Sequence, residues 1–81
     1  MMIAGIEIDE SAAVAYMRKE WDAGRGVYAQ WIRDMLWPEL AAAPDCDRNW
    51  IASEAQNRLC QWYRKRGICR YDRGSGRWVP A

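Results

Sequence analysis

The chain of 81 residues contains no histidine and no phenylalanine. Without histidine it lacks the side chain that most often serves as general base or metal ligand near neutral pH. It also lacks a glycine-rich phosphate loop and any pair of carboxylates at a spacing that suggests acid–base work. Cysteine is sparse: Cys46, Cys60 and Cys69 are irregularly spaced. A zinc site would need all three of them plus a carboxylate or water. They are expected to be free thiols in a reducing cytosol, and Cys60 and Cys69 have no histidine to activate them as nucleophiles. Asp45, Asp47 and Glu54 offer too few oxygens for calcium and read better as helix caps and surface ion pairs. No stretch approaches the ~20 apolar residues of a membrane span, and no basic segment precedes an apolar one at the N-terminus. The expectation is therefore a cytoplasmic protein that is not an enzyme, has no cofactor and no membrane contact, and whose function is binding.

What the chain does have is tryptophan. Six Trp and four Tyr are a large aromatic load for one domain spanning residues 1–81, because each large ring buries roughly 150–250 Å². At least one or two Trp are expected at the surface, where they serve as interface anchors. Charge is uneven. Residues 1–44 hold seven acids and four bases, whereas residues 45–81 hold four acids and eight bases, around a net charge of +1. A basic C-terminal half suits a polyanion or an acidic protein.

Residues 2–8 are β-branched and loosely alternating, which predicts a short strand with Ile6 and Ile8 on one face. Asp9, Glu10 and Ser11 then offer capping oxygens for a helix to about Asp22, with Val14, Met17 and Trp21 as its core stripe. If that helix or the N-terminal strand exposes Trp21, a homodimer follows. Gly24 and Gly26 end the helix. A second helix starts near Val27, with Tyr28, Trp31, Ile32, Met35 and Leu36 in helical register. Pro38 interrupts it, so residues 38–43 form a kinked extension or a separate short helix, closed by Pro44.

The third helix starts from a cap at Asp45 or Asp47 and places Ile51, Ala55, Leu59 and Trp62 on one face. Its far side carries Asn49, Ser53, Gln56, Asn57 and Arg64. Amides and hydroxyls there, in place of the Glu and Lys usual on a solvated face, suit hydrogen bonding to base edges. Gly67 caps the basic last turn. Residues 68–72 and 77–80 read as two strands around Arg73-Gly74-Ser75-Gly76, decorated by Arg70, Arg73 and Arg77. The predicted fold class is α+β: a small three-helix domain with a C-terminal β-hairpin. Ile51, Leu59, Trp62, Trp31, Ile32 and Met35 are its expected core.

From about Gly26 to Pro80 this order of elements resembles winged helix-turn-helix domains. The resemblance implies a third helix in the major groove of double-stranded DNA and a wing on the backbone or in the minor groove. Asn49, Ser53, Gln56, Asn57 and Arg64 would then face bases, and Arg70, Arg73 and Arg77 would face phosphates. The implied function is a small DNA-binding regulator of transcription, of a compactness suited to a phage or other mobile element. The competing reading is a protein-binding adaptor or inhibitor, such as an anti-CRISPR-type phage protein. It would present Trp and Arg to its partner, with Trp37, Trp50 and Trp78 as interface candidates because the core stripes leave them unclaimed.

Overall fold

The computed structural model describes every residue from Met1 to Ala81. Two short strands, β1 (Met2–Ile3) and β2 (Ile6–Glu7), precede helices α1 (Ser11–Asp22), α2 (Ala29–Leu36) and α3 (Arg48–Lys65), and strands β3 (Cys69–Asp72) and β4 (Arg77–Pro80) follow. Both strand pairs are antiparallel hairpins. The architecture is the α+β arrangement that the hydrophobic periodicity implies. Its core is one cluster of 18 buried residues drawn from every helix and from both hairpins.

The N-terminal segment is a hairpin rather than the single strand that its alternation suggests. Ile3 pairs with Ile6 across a two-residue turn, and both turn residues, Ala4 and Gly5, have positive φ of 50° and 79°. That backbone matches the right-handed twist of a tight hairpin. Folding back brings Ile3, not Ile6, into the core beside Ile8. Helix α1 then starts with Asp9 Oδ1 accepting the Ser11 amide at 2.9 Å. Its core residues are Ala13, Met17 and Trp21, with Val14 packed at their margin. Trp21 is buried, which removes the premise for a dimer through that side chain. Gly24 supplies the positive φ that ends the helix, at 78°.

Helix α2 begins two residues later than its hydrophobic pattern implies, because Val27 is used as a strand. It forms an isolated antiparallel bridge with Trp78, and Tyr28 is still extended at ψ 138°. Gly26 permits this approach: a Cβ there would lie 2.8 Å from Arg77 Cβ and 2.9 Å from Val79 Cγ1. The α2–α3 connection is two short 3-10 turns, Trp37–Leu40 and Asp45–Asp47. Arg48 fastens it by donating to the carbonyls of Leu40, Ala41 and Ala43, each at 3.2 Å. Asp47 occupies the N-cap position of α3, as one of the two expected candidates, but neither aspartate makes a side-chain capping bond. Asp45 pairs with Arg48 at 2.8 Å, and Asp47 accepts the Trp50 indole N–H at 3.4 Å.

The core differs from the expected one at three positions. Trp31, Met35 and Trp62 are exposed, at 46%, 37% and 48%. On α2 only the Ile32–Leu36 row is buried, since this eight-residue helix meets its neighbours along a single ridge. On α3 the buried face is turned toward Ala52, Cys60 and Tyr63. The Tyr63 ring packs edge-on against Trp21, with centroids 5.8 Å apart, and the Cys60 carbonyl faces the Cys69 thiol at 3.8 Å. Helix α1 and strand β3 therefore cover that flank and leave Trp62 at the margin, stacked under the Arg66 guanidinium at 3.7 Å. Ile32, Ile51 and Leu59 are buried as expected.

Candidate nucleic-acid interface

The hairpin β3–β4 is built for rigidity. Its register pairs Arg70 with Val79, Tyr71 with Trp78 and Asp72 with Arg77. At the tip the Asp72 carboxylate accepts the Ser75 hydroxyl at 2.7 Å and the Gly74 amide at 3.3 Å. Gly76 closes the turn with φ 69°. The Ser75 hydroxyl, helped by the backbone amides, holds the Asp72 carboxyl below its usual range. At its base the hairpin is bonded to the segment before α2 through Val27 and to α1 through the Trp21 indole, which donates to the Trp78 carbonyl at 3.1 Å. The hairpin is thus tied to α1 and to the segment that leads into α2.

The six cations from Arg64 to Arg77 make no ion pair, whereas Arg25, Arg48 and Arg58 each have a carboxylate partner. Arg64, Lys65 and Arg66 end α3, and Arg70 and Arg73 lie exposed on the hairpin. Arg77 is different. Its guanidinium lies over the Tyr28 ring at 4.6 Å and donates to the Tyr28 hydroxyl at 3.0 Å, and its Nε is a buried donor without a partner. Of the three hairpin arginines, Arg70 and Arg73 are exposed and unpaired, and Arg77 is occupied in joining the hairpin to the start of α2.

The polar side of α3 is divided. Asn49, Asn57 and Arg64 are exposed, while Ser53 and Gln56 are half-buried against α2. Arg33 Nη1 donates to Ser53 Oγ at 3.5 Å, and the Gln56 amide donates to the Cys60 sulfur at 3.3 Å. Together with Gln30 they line a polar cleft of about 280 Å³ between the two helices. The polar pattern of α3 does not reach Gln30 and Arg33, which sit on another helix. Their i, i+3 spacing on the polar side of α2 is the signal that points to them.

Trp37 and Trp50 are exposed, at 42% and 50%. Trp78, expected on an open face of the hairpin, is 6% exposed. The bridge to Val27 and the indole of Trp21 close over it, and Trp31 and Trp62 take its place at the surface. The thiols of Cys60 and Cys69 are buried and unpaired, and Cys46 is exposed. Burial pushes the Cys60 thiol up to about 12, so it carries no nucleophile at neutral pH. No helix is long and apolar enough to cross a membrane.

No family model, curated protein or solved structure matches the chain. Its function is therefore read from the site itself.

Proposed function

We propose that the protein is a small winged-helix DNA-binding regulator that acts in the cytoplasm on double-stranded DNA, with α3 in the major groove and the β3–β4 wing on the backbone. The observation that carries this reading is the group of exposed cations Arg64, Lys65, Arg66, Arg70 and Arg73, left without ion-pair partners on the end of α3 and on an anchored hairpin. Unneutralised cations on a fixed surface are what counterion release from DNA requires. Asn49, Asn57 and the Ser53–Gln56 side of α3 supply amide and hydroxyl groups for base edges, with Arg33 and Gln30 of α2 beside them. Arg70, Arg73 and Arg64 supply phosphate contacts. Arg77 acts through Tyr28 by holding the wing in place.

The test is binding to random duplex DNA, followed by fluorescence anisotropy over a series of salt concentrations. A steep fall of affinity with salt is expected. Absence of binding at low salt would exclude the reading.

A second reading is favoured by a separate observation. Trp31, Trp37 and Trp50 are 46%, 42% and 50% exposed, and exposed Trp is the residue type that most often anchors a protein partner. On this reading the molecule is an adaptor or inhibitor. Its affinity would concentrate in those indoles and depend weakly on salt.

A further inference from the structure

A cavity of about 420 Å³ lies between the N-terminal hairpin and the C-terminal half of α3. It is distinct from the polar cleft beside α2 and from the wing. Its size falls within the range of about 300–1,000 Å³ that small-molecule sites occupy. The site is an open groove, with Leu59 buried beneath it and Met1 and Trp62 as its other apolar lining residues. Arg66 does not line the cavity, and it covers the indole from 3.7 Å, which limits how the ring can turn.

Four ionic groups stand at the rim, and three are already engaged. Glu10 holds the Met1 ammonium at 3.1 Å. Arg58 pairs with Glu54 at 3.5 Å and donates to the Met2 carbonyl at 3.2 Å. Lys65 lines the cavity without an ion-pair partner, one helical turn beyond Trp62 and on the same side of α3. The site therefore offers a flat apolar surface with one uncommitted cation at one end.

We infer that this cavity binds a small planar aromatic anion. The ring would lie on Leu59 and Met1 against Trp62, with its carboxylate or phosphate on Lys65. A neutral aromatic would use the apolar lining but leave Lys65 unused. An aromatic cation would meet Lys65 and Arg58 as like charges. Binding here does not depend on DNA, so the test uses protein free of DNA.

The probes are 1-naphthylacetate and its neutral amide, titrated into ¹⁵N-labelled protein and followed by the indole N–H of Trp62 and the amides around Lys65. Saturable shifts confined to this cavity are expected. The amide should bind about threefold to fivefold more weakly, the worth of one exposed ion pair. Lys65→Gln should bring the acid down to the level of the amide while leaving the amide unchanged. Trp62→Ala should abolish binding of both, with the spectrum of each variant reporting that it is folded. Equal affinity for acid and amide, indifference to Lys65→Gln, shifts that map elsewhere, or no saturable binding of either probe would each overturn the inference.

Discussion

Val27 and Trp78 exchange two backbone hydrogen bonds, at 2.8 and 2.9 Å. This single bridge joins the segment that leads into α2 to the second strand of the C-terminal hairpin. The neighbouring Gly26 makes the approach possible, and the first prediction tests it. Gly26→Ala should destabilise the fold by about 1–3 kcal/mol, since the new methyl would meet a Cβ and a Val methyl that cannot swing away. Gly74→Ala, whose methyl would find only the Asp72 carboxylate at 3.6 Å, should change stability by under about 0.5 kcal/mol. Thermal unfolding of the two variants decides, and equal effects would mean that the close approach has no consequence for stability.

Leu59 is buried and Asn57, two residues earlier on α3, is exposed. Leu59→Ala should cost about 2–5 kcal/mol and Asn57→Ala under about 0.5 kcal/mol, measured by urea denaturation. Comparable losses would show α3 to be covered all round and would leave no exposed polar face for DNA.

If the wing meets phosphates, replacing Arg70 and Arg73 together by Ala should weaken DNA binding uniformly across sequences. The salt slope should flatten by about one unit for each phosphate that is no longer neutralised. Arg77→Ala should act differently, lowering thermal stability by releasing Tyr28, with a smaller change of slope. An unchanged slope in the Arg70/Arg73 variant would remove the wing from the interface.

Asp72 ties the hairpin tip through Ser75 and the Gly74 amide, and its folded carboxyl titrates below the usual value, which in unfolded chains is about 3.9. A depressed carboxyl contributes stability that is fully present above the unfolded value and is lost as pH falls through the folded one. The difference in melting temperature between the wild type and Asp72→Asn should thus be constant near neutral pH and shrink below about pH 4. A difference that persists unchanged into strong acid would show that the carboxylate charge is not what orders the turn.

Of the three thiols, only Cys46 is exposed. Ellman's reagent should titrate one equivalent rapidly in the native state and the remaining two only on unfolding, because Cys60 and Cys69 are both buried and titrate above the usual thiol range. Rapid reaction of all three would mean that the packing of α3 against β3 opens readily.

Much of this molecule follows from local patterns alone. Gly67 ends α3 with φ 74° because a left-handed residue must stop a helix with no Cβ penalty. The Arg73–Gly76 turn joins two strands because its glycines and Asp72 favour it. Ile51, Ala55 and Leu59 recur at helical spacing and are buried. These features depend on residues a few places apart, whose interactions are legible in one dimension. Tertiary structure decided the rest. Periodicity gave α2 and α3 broad apolar stripes, but which edge of each stripe is covered depends on neighbours far along the chain. Trp21 and Cys69 draw Tyr63 and Cys60 inside and leave Trp62 in solvent. Val27 leaves the helix because Trp78, some fifty residues away, offers a strand edge. Arg77 turns from a free cation into a clamp on Tyr28, and Arg33 joins Ser53 on one surface, for the same reason: pairing across distant segments outweighs the local preference of either.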